Sequence, residues 1–236
     1  MAFFDATAEF DSALFEIELL TRAADDAQGS AQAYQSLIKA AIVLLATKIE
    51  AFAENIIEEY ASELAQLDLS AKDLPHLLKL HSTVYLLDDV HGNAPFNASN
   101  RAVDKLIQAA KLWSDEAAIQ EVAVNSKFNY GKHGSEQFSR LFERVAISNI
   151  YDKCQVIPQG DSLAYSVATR DQVRADIDSL TNIRNNIIHQ DVTPGLTHQQ
   201  VDGYRDRFWQ FSFLVDLLLK TELEKLAANR ETCLKK

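Results

Sequence analysis

The stretch Thr181-Asn182-Ile183-Arg184-Asn185-Asn186-Ile187-Ile188-His189 gathers the side chains best suited to chemistry in this chain. Histidine titrates near neutrality when unperturbed, so it can take or give a proton at physiological pH. Arginine offers a planar fork of donors that matches a phosphate. Asn182, Asn185, Asn186 and His189 fall at i, i+3, i+4 and i+7, which makes one continuous polar stripe on a helix. Asparagine competes for backbone hydrogen bonds and weakens a helix interior. Either the stripe is a solvated face that tolerates Asn, or it serves a site, and natural sequences break local rules mostly at sites.

Arg184 is out of pattern. On a helix it projects among Ile177, Leu180, Ile187 and Ile188, an apolar face. A buried guanidinium is costly unless paired or hydrogen-bonded. It snorkels to the surface, is satisfied by carbonyls, or is held at an interface where it donates to an anion. Arg184 and His189 are five apart in the chain, about 140° apart on a regular helix. Sharing one small site then requires the helix to end there or two copies to meet.

The elements that must position this stretch are helical. The chain has only 7 Gly and 4 Pro among 236 residues, too few for the turns of a sheet protein. In residues 30–67, Ile38, Ile42, Leu45, Ile49, Phe52, Ile56 and Tyr60 alternate at spacings of 4 and 3, the stripe of a long bundle helix. Glu50, Glu54 and Glu58 form an acidic ridge on the far side of that helix, either a solvated face or a landing strip for a basic partner. Residues 3–28 read as a shorter helix. Ser70 and Asp73 form a capping-box pattern for a helix over 71–90. Helices are expected over 101–113, 115–124 and, capped by Ser135, 136–147. A loop is expected over 150–168 and a helix over 170–189, and Thr197 with Gln200 opens a last helix to about 230. The whole reads as one domain, 1–236, with core helices at about 30–90 and 170–230 and an elaboration at about 91–165.

Composition narrows the function. Net charge is −11, and residues 1–70 carry 13 acids against 3 bases, whereas residues 71–236 are nearly neutral. Any nucleic-acid site therefore belongs in the later part. Residues 127–144 hold a local net charge of +2, which makes Lys132 and His133 candidates for RNA-backbone contacts. Cys154 and Cys233 form no C-x-x-C pair and no disulfide framework. The N-terminus lacks a basic, cleavable leader. The densest apolar run, Phe208 to Leu219, is too short and too polar to span a bilayer. These features point to the cytoplasm and to no membrane. No metal site is expected, since His76 and His81 lack the H-E-x-x-H pattern and Asp88-Asp89 with His91 suits a helix end better. No cofactor fingerprint occurs.

The run Arg184-Asn185-Asn186-Ile187-Ile188-His189 resembles the Arg–x(4–6)–His signature of the HEPN superfamily, with the polar Asn185 directly after the Arg. Lys48-Ile49-Glu50-Ala51-Phe52, Tyr130-Gly131-Lys132-His133-Gly134 with 138–147, and Leu180 to His189 with Leu196-Thr197 resemble segments of its RiboL-PSP-HEPN-like branch. The resemblance implies an all-α fold, a four-helix bundle core with a helical insertion, and a homodimer. It implies a metal-independent endoribonuclease of a prokaryotic toxin–antitoxin or defence system that cleaves RNA through the 2′-OH at a composite dimer site, with an antitoxin or other protein as a possible partner. Carried over, His189 is the general acid or base at the ribose 2′-OH, Arg184 stabilises the scissile phosphate, and Asn185 supports them. Two positions depart from the pattern. Ile188 replaces a residue that is small in many members. Asp191 stands where members paired with nucleotidyltransferase antitoxins carry Tyr, which argues against that subtype. The competing reading is a non-catalytic HEPN-like interaction module.

Overall fold

An apolar stripe 36 residues long cannot stay in water, and the chain folds around it. In the computed structural model of the protein the stripe is α2 (Ala31–Gln66), opened by Ser30, whose side chain accepts from the Ala33 amide. Ile38, Ile42, Leu45, Ile56 and Ile57 are wholly buried. At roughly 1.5–3 kcal/mol for each buried aliphatic side chain, this helix is the main source of cohesion. The structure describes residues 3–93, 99–115, 117–128, 133–154 and 170–234.

The other helices follow as α1 (Asp5–Asp26), α3 (His76–Asn93), α4 (Ser99–Lys111), α5 (Ser135–Glu143), α6 (Ile150–Lys153), α7 (Arg170–Gln190) and α8 (His198–Leu234). No strand occurs among the described residues; one isolated bridge joins Ser70 to Ala118. The chain is all-α. Helices α1, α7 and α8 all pack on α2, and α1 also packs on α8. Residues 3–28, set outside the expected core, are therefore part of it. Helix α3 packs chiefly on α4 instead.

Three local expectations are corrected. The Ser70–Asp73 box is present, with the Ser70 amide 3.0 Å from Asp73 Oδ2, but it closes only a 3-10 turn, Ala71–Asp73. Pro75 stops that turn from continuing, and α3 starts at His76. Residues 117–124 are not helical: Ala71 donates to the Ala117 carbonyl and Ile119 to the Leu69 carbonyl, so pairing with the 69–71 segment overrides helix propensity. Ser135 does not cap α5 with its own side chain. Asp178 of α7 accepts from the Ser135 amide at 2.8 Å and its hydroxyl at 2.7 Å, which fastens α5 to α7. The Thr197–Gln200 box does form at the start of α8. Of the loop expected at 150–168, residues 150–153 are the short α6, and 155–168 lie outside the described residues.

Buried charges tie the bundle together. Asp216, 1% exposed on α8, accepts from the Phe4 amide (2.8 Å) and the Thr7 hydroxyl (2.9 Å) and pairs with Lys220 (2.8 Å). It anchors the start of α1. Asp176 of α7 pairs with Arg207 of α8 and accepts from Gln172 at 2.7 Å. No helix among the described residues is long and apolar enough to cross a membrane.

Candidate active site

Helix α7 is held by Val173, Ile177 and Leu180, which are buried. One turn later the same face presents Arg184, whose side chain is 12% exposed. It neither reaches open water nor relies on carbonyls. Its Nη1 donates to Glu50 Oε2 of α2 at 3.2 Å, across 134 residues of sequence. The pair is incompletely satisfied, because Arg184 Nε and Glu50 Oε1 are buried without a hydrogen-bond partner. Burial pushes the Glu50 carboxyl above its ordinary range and outweighs the opposing pull of Arg184 and His133; the nearby Glu54 pushes the same way.

His133 enters from the segment before α5. Its Nδ1 lies 3.1 Å from Glu50 Oε1, within ion-pair reach but off the hydrogen-bond direction, which is why Oε1 remains unsatisfied. Gly134 makes this approach possible. Its φ is +102°, and a Cβ there would sit 2.9 Å from Asp178 Oδ1, so no other residue fits without strain. Glu54 secures the strand of chain leading to His133: it accepts from the Phe128 amide at 2.9 Å and pairs with Lys127 at 3.2 Å. Arg144 donates to the carbonyls of Asn125 (2.6 Å) and Lys127 (2.8 Å).

The acidic ridge of α2 is thus not simply a solvated face on the far side of the helix: Glu50 and Glu54 turn inward, while the Glu58 side chain stays 68% exposed. It receives the protein's own Arg184, Lys127 and His133. The same contacts take up much of the positive charge read at 127–144. Lys127, Arg140 and Arg144 are engaged with Glu54, Glu136 and carbonyls respectively. Lys132, with Tyr130 and Gly131, lies outside the described residues.

Between α2, α7 and this segment lies a cleft of about 590 Å³, lined by Thr47, Glu50 and Glu54 on one wall, Phe128 and His133 on a second, and Arg184, Asn185, Ile188 and His189 on the third. Arg184 and His189 line the same cleft in one copy of the chain. The geometry that permits this is the end of α7. Asp191 takes a left-handed φ of +49°, so the helix stops at Gln190 and His189 stands exposed on the last turn. Arg184 reaches inward from the turn before. Asn185 is half-buried in the cleft, whereas Asn182 and Asn186 face solvent. Ile188 is 55% exposed and walls the cleft without filling it. Asp191 pairs with Lys39 at 2.6 Å, which lowers its carboxyl's pKa and balances its charge.

Glu50 is the residue that reasoning from sequence missed as a site member. An Arg on an apolar face demands a buried acid, and the ridge of three Glu supplied candidates, but nothing in the spacing chose among them. Among the described residues no three His, Cys, Asp or Glu cluster in a way that can hold a metal ion.

The fold is a helical bundle with an Arg–His pair on the helix that closes its cleft. A family model described as RiboL-PSP-HEPN matches residues 9–215, and the chain belongs to that family. HEPN domains are generally associated with ribonuclease activity. No curated protein and no solved structure matches the chain.

Proposed function

We propose that the chain is a metal-independent endoribonuclease of a prokaryotic toxin–antitoxin or defence system, acting as a homodimer through a single HEPN domain. One observation carries the reading: in a member of this family, Arg184, Asn185 and His189 line a single open cleft. His189 takes the proton of a ribose 2′-OH. The 2′-oxygen attacks the adjacent phosphorus, the bond to the 5′-oxygen breaks, and that oxygen leaves with a proton. The products are a 2′,3′-cyclic phosphate and a 5′-hydroxyl. Arg184 faces the charge that builds on the phosphate, where donors placed in advance lower the barrier most. Asn185 orients the phosphate or the histidine. His133, and Lys132 beside it in sequence, contact the RNA backbone. One copy supplies both Arg184 and His189, so a second copy shapes the cleft and need not complete the reacting pair.

A second reading draws on the Arg184–Glu50 pair. An arginine already facing an acid can be an internal strut, as in a non-catalytic interaction module. The substrate separates the two. The ribonuclease cuts an RNA and leaves the same sequence untouched when the ribose at the cut site is 2′-deoxy. A binding module cuts neither, and a chain that cut both would not be using the 2′-OH.

A further inference from the structure

One apolar side chain in the cleft has no task in the fold. Ile188 is 55% exposed, although Val173, Ile177 and Leu180 of the same helix are buried and Ile183 and Ile187 pack against the core. It stands one turn beyond Arg184, on the face of α7 that lines the cleft. Another wall of the cleft carries Phe128, whose ring is only partly buried and lies against the His133 ring, centroids 5.9 Å apart. The backbone under Phe128 is fixed on both sides of the residue. Glu54 accepts from its amide at 2.9 Å, and Arg144 donates to the carbonyls of Asn125 and Lys127. On the α2 wall the small, half-buried Ala51 adds a third apolar surface.

The cleft is therefore of two characters. The polar part, with Arg184 and His189, has a use in the proposed reaction. A phosphate and a 2′-hydroxyl alone would leave the aromatic ring and the exposed isoleucine facing water. What an RNA can place against them is a base, which is flat, uncharged and joined through its ribose to the phosphate that Arg184 would face. Being neutral, it is not repelled by Glu50 and Glu54, which already engage the protein's own cations.

We infer that the apolar part of the cleft is a slot for one unpaired nucleobase, with Phe128 stacking on one face and Ile188 covering the other. The slot rests on the RNA-binding part of the ribonuclease reading and narrows its substrate to RNA with an unpaired nucleotide at the cut. Every base has a π face, so stacking selects for an exposed base and not for a sequence. In an A-form duplex the faces of each base are already stacked, and a paired base has to be pulled out at a cost before it can enter.

The test is binding of a short RNA with 2′-fluoro riboses, which cannot be cut through the 2′-oxygen. Fluorescence anisotropy reads it with the strand free and annealed to its complement. The parent is expected to bind the single strand about tenfold more tightly than the duplex. Phe128→Leu keeps an apolar side chain and loses the flat ring. It is expected to raise the single-strand dissociation constant about tenfold and to leave the duplex value unchanged. Ile188→Ala, at an exposed position, is expected to shift the single-strand value the same way by a smaller factor. A parent that binds both forms equally, or neither, overturns the slot. So do variants that melt and bind the single strand as the parent does, and should Phe128→Leu fail to fold, Ile188→Ala decides. Cleavage of the unmodified RNA by the parent reports separately on His189: the expected binding pattern without cutting keeps the slot and removes the ribonuclease.

Discussion

Two buried ion pairs in this molecule are built to different standards. Around Asp216 every visible demand is met: the Phe4 amide at the cap of α1, the Thr7 hydroxyl and the Lys220 ammonium converge on a carboxylate that is 1% exposed. Around Glu50 the demands are not met. Arg184 makes one bond of 3.2 Å, an oxygen and a nitrogen stay buried without hydrogen bonds, and the Glu50 carboxyl is pushed above its ordinary range by burial. A buried charge that is only partly compensated is a poor source of stability. Asp216 holds the structure together. Arg184 is held where it has donor capacity to spare beside a cleft, which is what a phosphate would use.

Substitutions that treat the two pairs alike should therefore give unlike results. Asp216→Ala removes the buried carboxylate on which the Phe4 amide, the Thr7 hydroxyl and the Lys220 ammonium converge, and should cost about 3–5 kcal/mol, a fall in melting temperature on the order of 10 °C. Thermal melts read this directly, and a fall of only a degree or two would mean that Asp216 is not the anchor described. Replacing the other pair together, Glu50→Gln with Arg184→Met, should change stability by no more than about 1 kcal/mol, because no charge is left stranded. That double variant should nonetheless lose RNA cleavage; full activity in it would make the pair a strut and nothing more.

The smallest effect is in pH. Glu50 has a folded-state pKa raised above its unfolded value, so between the two the native state holds the extra proton. Its contribution to stability is fully present below the unfolded value and is lost as pH rises through the raised one. Melts of the parent and Glu50→Gln across that range should show the parent losing ground as pH rises. Parallel curves would mean that burial does not dominate at this carboxyl.

Much of this fold was legible in advance, and what was not has a common cause. The 3–4 spacing from Ile38 to Tyr60 identified α2, and the pattern from Val173 to Ile187 identified α7, to within a residue or two of their ends. Both signals are local and periodic. The polar stripe drew attention to Asn185 and His189 for the same reason. Arg184 could be marked only as out of place, because its partner Glu50 lies 134 residues away and no periodicity links them. The helix expected at 115–124 failed likewise: its backbone pairs with Leu69 and Ala71, a contact that no local propensity encodes. That Arg184 and His189 can share a cleft in one copy depended on where α7 stops, and a left-handed Asp191 is a weak signal in sequence.

His189 carries the proposed chemistry, is exposed and can be replaced without disturbing the core. The most direct measurement is cleavage of a labelled, structured RNA by the parent and by His189→Ala in excess EDTA. The parent is expected to cut and leave 2′,3′-cyclic phosphate ends, while the variant, melting at the same temperature, is slower by about 10²–10⁴-fold. Equal cutting by both proteins, or cutting that stops when EDTA is added, would contradict that chemistry.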